Sequence, residues 1–125
     1  MANERQTAVR KLAGEIAKMT DEQRQEIANK LGTVINPDGH ALTLNNTILL
    51  WMQSQRTDLT VIAGFKQWIK AGRVVRKGEH SIGCIMVPIR GKKEEENGEE
   101  KRPLYFKMVS VFDVSQTDEL QSAAA

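Results

Sequence analysis

Cysteine is almost missing from this chain. Cys84 stands alone within an apolar run, so no internal disulfide can form, and the residue fits a reducing compartment or a small buried hydrophobe. Histidine is nearly as scarce: His40 and His80 are isolated, Cys84 has no ligand at metal-site spacing, and the H-E-x-x-H pattern that binds zinc and holds a general base does not occur. A Cys84–His80 nucleophile pair also fails, because the histidine lies by a turn and the thiol sits in an apolar strand where it would ionise poorly. Gly78 and Gly83 lack both the glycine spacing and the following Lys-Ser/Thr of a phosphate-binding loop. These absences remove metalloenzyme, thiol and nucleotide-hydrolysis chemistry, and no cofactor is called for. Long hydrophobic runs are missing too. The longest, Ile82 to Ile89, is broken by Gly83 and Pro88, and the N-terminus is polar, so neither a membrane span nor a signal peptide is expected and a cytoplasmic setting is.

What remains is ordinary globular material: 125 residues, 40% hydrophobic and 27% charged, enough for one domain with a modest core. The net charge of +2 hides an uneven distribution. From Arg56 to Lys93 there are nine basic residues (Arg56, Lys66, Lys70, Arg73, Arg76, Lys77, Arg90, Lys92, Lys93) against Asp58 and Glu79. The run from Glu94 to Glu100 offsets much of that excess. It repels itself, has nothing to bury, and reads as a solvated loop.

Periodicity places the elements. Val9, Leu12, Ala13 and Ile16 recur at three and four residues and predict an amphipathic helix over 3–19. Thr20 and Gln23 have capping-box spacing for a second helix ending near Leu31, with Gly32 as its C-cap. Asn36-Pro37-Asp38-Gly39 is a tight turn, and Thr43 caps a third, central helix reaching about Gln55. A short helix over 64–72 should turn Phe65, Trp68 and Ile69 inward and leave Lys66 and Lys70 on the opposite face. Residues 73–75 and 82–89 read as strands joined by Arg76-Lys77-Gly78-Glu79, a β-hairpin with a basic tip, and 104–114 as a long strand pairing with it. The expected class is α+β: N-terminal helices packed on a small, mostly antiparallel sheet. Residues 1–35 form a helical arm on the same domain, 36–120 the core and 121–125 a frayed tail.

The helix, turn and hairpin gather Lys66, Lys70, Arg73, Arg76 and Lys77, the footprint of phosphate binding, with backbone N–H groups near Gly78 in support. A solvated charged surface explains the same cluster equally well. Tyr105 beside Lys107 at i, i+2 suits a base-stacking platform on one strand face, and also an ordinary sheet surface. Trp51 offers a second stacking surface, though at helical spacing it reads first as core. Asn46 could touch nucleic acid, while asparagine at a helix start more often satisfies local backbone.

Three blocks in order carry a family resemblance: Leu42 to Leu50 (LTLNNTILL), Ala63 to Ile89 (AGFKQWIKAGRVVRKGEHSIGCIMVPI) and Val111 to Asp118 (VFDVSQTD). Over roughly Leu31 to Leu120 the chain resembles the N-terminal domain of ArdC-type antirestriction proteins. That resemblance implies an α+β domain that binds single-stranded DNA, with relatives on plasmids, phages and other mobile elements that protect incoming DNA from restriction. Full-length relatives continue into a zinc-metalloprotease-like domain after the last block, whereas this chain ends a few residues beyond Thr117. It also has Ala71-Gly72 for a common Gly-Gly pair, and Glu79-His80-Ser81 for a usual Gly-Glu-Lys-Gly, which removes a cation from the turn. The expected function is noncatalytic binding of single-stranded DNA, with RNA or duplex DNA as further possible partners through Lys66, Lys70, Arg73, Arg76, Lys77, Gly78, Tyr105, Lys107, Trp51 and Asn46. The rival expectation is a protein-interaction adaptor or inhibitor of a host defence enzyme, contacting a separate protein partner through the acidic segment or the N-terminal helices.

Overall fold

The computed structural model describes residues 2–90, 94–96, 99–101 and 104–120. Among these described residues, four helices and three small antiparallel sheets make an α+β fold. Helix α1 (Ala2–Ala17) and α2 (Asp21–Leu31) pack on α3 (Leu44–Ser54), whose Ile48, Leu49 and Leu50 are almost fully buried. Local chemistry sets these boundaries. Thr20 accepts from Gln23 N at 3.1 Å while Gln23 reaches back to Thr20 N at 2.9 Å, a complete capping box, and Thr43 accepts from Asn46 N. Gly32 takes a positive φ of 75° at the end of α2, and Gln55 ends α3 in the left-handed region.

The main sheet has the order β1 (Ile62–Ala63), β6 (Leu104–Asp113), β3 (Gly83–Arg90), with β3 and β6 paired from Gly83↔Val111 to Arg90↔Leu104. Both faces of this ribbon are used. Cys84, Met86 and Met108 pack with Val9, Ile16, Ile48 and Leu49, whereas Ile85, Val109 and Val111 pack with Val34, Leu50, Leu59 and Ile62. Burying each Leu- or Ile-sized side chain contributes about 1.5–3 kcal/mol, so α3, which feeds both clusters, anchors the fold.

The expected basic-tipped hairpin over 73–89 is not formed. Strand β2 (Arg73–Val75) pairs instead with β7 (Thr117–Glu119), and β3 pairs with β6. Gly78 does turn the chain with φ 89°, but the turn leads from one sheet into another rather than folding β2 back on β3. The acidic segment also departs from the loop reading. Strands β4 (Glu94–Glu96) and β5 (Glu99–Lys101) pair antiparallel as a two-stranded sheet of their own, because backbone pairing does not require buried side chains. Lys92, Lys93 and the tail over 121–125 lie outside the described residues. Helix α4 (Phe65–Lys70) forms as expected, yet only Trp68 is buried. Phe65 and Ile69 are 49% and 42% exposed, since a six-residue helix lying on the sheet margin covers one side chain rather than a full stripe.

The outer edge of β3 is closed by two amides of α3. Asn46 Nδ2 donates to Met86 O at 2.9 Å and its Oδ1 accepts from Met86 N at 3.0 Å; Gln53 does the same to Cys84 at 2.7 and 2.9 Å. These side chains replace a neighbouring strand. Asn46→Asp keeps the size but cannot donate to Met86 O, and a carboxylate faces a carbonyl. Its urea midpoint should fall by the equivalent of about 1–3 kcal/mol. An unchanged midpoint would show that the clamp contributes nothing.

Candidate nucleic-acid interface

The predicted cations differ in how they are held. Lys66 and Lys70 on α4 and Lys77 in the turn are exposed and make no ion pair among the described residues. Arg73 is committed to β7, donating from Nε to Thr117 Oγ1 at 2.7 Å and from Nη2 to Thr117 O at 3.1 Å. Arg76 is held more tightly: it donates to Ser115 O at 2.6 Å, Glu79 Oε2 at 3.1 Å and Asp118 Oδ1 at 3.3 Å. The hydrogen bond that Arg76 donates to Asp118, and with it the one to Glu79, pushes its guanidinium above its ordinary range. Both arginines therefore tie β2 and its turn to the end of the chain.

The closing VFDVSQTD block has the same structural character. Asp113 caps a 3-10 turn (Val114–Gln116), Gln116 accepts from Asp113 N at 2.9 Å, and Gln116 Nε2 donates to His80 O at 2.6 Å. The turn after β2 is thereby stitched to the end of β6. Asn46 is occupied at β3, and Trp51 lies half-buried beside Leu31, Val34, Leu50 and Leu59.

Tyr105 and Lys107 are placed differently. Cross-strand neighbours share a face, so Ile89↔Tyr105, Val87↔Lys107 and Ile85↔Val109 line one side of the ribbon. Tyr105 is 56% exposed there, and Val87, Ile89 and Lys107 are exposed with it. This face runs into a groove of about 410 Å³ floored by Ile85, Val87, Val109 and Val111, with Asn36 and His40 on one flank and Gln67 of α4 on the other. The flank is built by the predicted tight turn: Asn36 Oδ1 accepts from Asp38 N and His40 N, both at 3.0 Å, and Gly39 supplies φ 87°. Neither His40 nor Gln67 stands out in sequence, since only the fold brings residues 36–40, 67 and 85–109 together. The other face of the ribbon borders a second cavity, of about 540 Å³, lined by Ala13, Ile16, Leu44, Leu49, Met86 and Phe106.

Apolar floor, exposed aromatic and amide flanks suit stacking and edge contacts to unpaired bases, while Lys107 supplies positive charge on the same strand face. Among the described residues no three His, Cys, Asp or Glu side chains gather as a metal site, and no helix is long and apolar enough to cross a membrane.

Residues 2–112 match the family described as the N-terminal domain of anti-restriction factor ArdC. The metal-free crystal structure of the antirestriction ArdC protein from plasmid R388 is similar, with a TM-score of 0.57 and 24% identity over 94% of this chain and 42% of that one. Its Mn(II)-bound structure gives 0.55 and 23% over 94% and 41%. At that identity the likeness establishes a shared fold, and this chain spans about two fifths of the R388 protein. No curated protein matches the sequence.

Proposed function

Because the chain belongs to the family of the N-terminal domain of anti-restriction factor ArdC, we propose that it is a noncatalytic binding module for single-stranded nucleic acid, DNA foremost, acting in the antirestriction context of a mobile element. The strand lies along the β3–β6 face that carries Tyr105 and Lys107. The observation that carries this reading is an exposed tyrosine and lysine on one strand face, opening into an apolar groove with amide flanks.

Bases stack on Tyr105 and rest on Val87 and Ile89; Asn36 and Gln67 meet base edges; Lys107, Lys66 and Lys70 neutralise phosphates. Duplex DNA is disfavoured because its bases are stacked inside the helix and cannot reach the groove floor. Lys77 adds long-range attraction, whereas Arg73 and Arg76 act mainly by holding the fold. Charge reversal at Arg76 would therefore mix folding with binding, and Lys77→Glu is the cleaner probe of the turn.

Fluorescence anisotropy of labelled single-stranded and duplex oligonucleotides across a salt series tests the reading. Tyr105→Ala should remove one stacking contact, about 1–3 kcal/mol or roughly five- to hundredfold in affinity. Lys107→Ala should flatten the log–log salt slope by about 0.7, the value for one single-strand phosphate contact. No binding by the wild-type chain at low salt, or wild-type affinity retained by both variants, would remove the proposal.

A further inference from the structure

The two edges of the β3–β6 ribbon are treated differently. On β3 the outward groups of Cys84 and Met86 are met by Gln53 and Asn46, and the next outward position is Pro88, which has no N–H. On β6 the outward groups belong to the even-numbered residues: Cys84 and Met86 point away from β6, so their alternate neighbours Ile85 and Val87 bond to Val109 and Lys107, and Phe106 and Met108 face the other way. Contacts further along agree. Phe112 O accepts from Trp68 Nε1, and Val114 N donates to Val61 O, both on the β1 side. Strand β1 covers only Phe112 and Asp113 before Gly64 turns the chain into α4. From 104 to 110 that edge has no strand beside it among the described residues, and Phe106 there is 57% exposed.

We propose that this edge of β6 is a docking site for an extended polypeptide segment of a partner protein, which adds a strand in line with β1. The chemistry of the edge specifies the occupant: N–H and C=O groups alternating at strand spacing are matched by another extended peptide backbone. The edge is seven residues long and ends where β1 begins, so the guest is a short segment continuing an existing strand position. A second copy of β6 fits poorly. Antiparallel self-pairing about Lys107 would set lysine against lysine, pairing about Met108 would drive residue 104 against Phe112, which Ala63 already occupies, and pairing about Phe106 would match only residues 104–108 of the described edge. Alternation sets the guest's pattern: an acidic residue opposite Lys107, flanked by apolar residues opposite Phe106 and Met108. This inference does not depend on nucleic-acid binding and is tested without nucleic acid.

The probe is an end-capped heptapeptide with a central glutamate flanked by isoleucines, titrated into the full isotope-labelled chain. Binding should slow hydrogen exchange at the Phe106 and Met108 amides. N-methylating one alternate set of peptide amides should weaken affinity by about ten- to hundredfold through two lost hydrogen bonds, while methylating the other set leaves it intact. Lys107→Glu should reverse the preference toward a lysine-centred peptide. Unchanged exchange at both amides, or equal tolerance of both methylated sets, would overturn the proposal. So would a dimer that protects the same amides without peptide, since the occupant would then be a second copy.

Discussion

Trp68→Ala should lower unfolding free energy by about 3–5 kcal/mol, the range for deleting a large buried aromatic, a large fraction of the roughly 5–15 kcal/mol that small domains possess. Trp68 is 2% exposed and forms a cluster with Ala63 and Val75, bordered by Val61, Phe112 and Val114. Its indole N–H donates to Phe112 O at 2.9 Å, so truncation leaves both a cavity and an unpaired carbonyl. It is also the one buried side chain of α4, a helix of six residues and too short to persist without tertiary contact. Losing it releases Gln67 from the groove flank, so nucleic-acid affinity should fall with stability. Trp68→Phe retains most of the packing and loses the hydrogen bond, and should cost about 1–3 kcal/mol. Urea denaturation of the three proteins checks the order; a loss below about 1 kcal/mol for alanine would mean that the site collapses freely around the missing ring.

The second large effect is expected at Asp113. Its carboxylate is 2% exposed and accepts from Thr60 N at 3.1 Å, Ser115 N at 3.0 Å and Ser115 Oγ at 2.6 Å, with Arg56 Nη2 4.0 Å away. Asp113→Ala strands two backbone N–H groups and removes the cap of the 3-10 turn, and should cost about 2–4 kcal/mol. Asp113→Asn preserves one acceptor and should recover part of that loss. The damage should spread to β2 and β7, because the turn that Asp113 caps positions Gln116 on His80 and Thr117 on Arg73. Hydrogen exchange at β2 and β7 amides, alongside the urea midpoint, reads this spread; loss of global stability with those amides unaffected would break the link. Arg56 also binds Asp58 through two hydrogen bonds of 2.9 and 3.1 Å, chiefly through which the Asp58 carboxyl is held below the usual range. Because the folded-state value is depressed, the pair's small, solvent-screened contribution is present above the ordinary aspartate range and is lost as pH falls below that range through the lowered value.

The helices were legible because their causes are local. Thr20 and Gln23, or Thr43 and Asn46, lie within four residues of one another, and Val9, Leu12, Ala13 and Ile16 share a face through helical geometry alone. The Asn36 to Gly39 turn was legible for the same reason. The pairing of Tyr105 and Lys107 on one exposed face followed from the two-residue period of a strand. Strand partners were a different matter. Arg73 to Val75 reads as half of a hairpin because a glycine turn and an apolar run follow it, yet its partner Thr117 lies 44 residues beyond Arg73. Phe65 and Ile69 look as apolar as Trp68, and only the position of α4 at the sheet margin decides which of them is covered.

Sequence by itself determined the class, the helix boundaries, the uneven charge and the family, since each rests on neighbours along the chain or on ordered blocks of residues. The tertiary structure alone decided that Arg73, Arg76 and Asn46 spend their hydrogen bonds inside the fold, that Asn36, His40 and Gln67 meet across one groove, and that one edge of β6 has no strand beside it among the described residues. Those outcomes depend on contacts between segments far apart in the chain, where the partner of a polar group is chosen by packing rather than by anything written beside it.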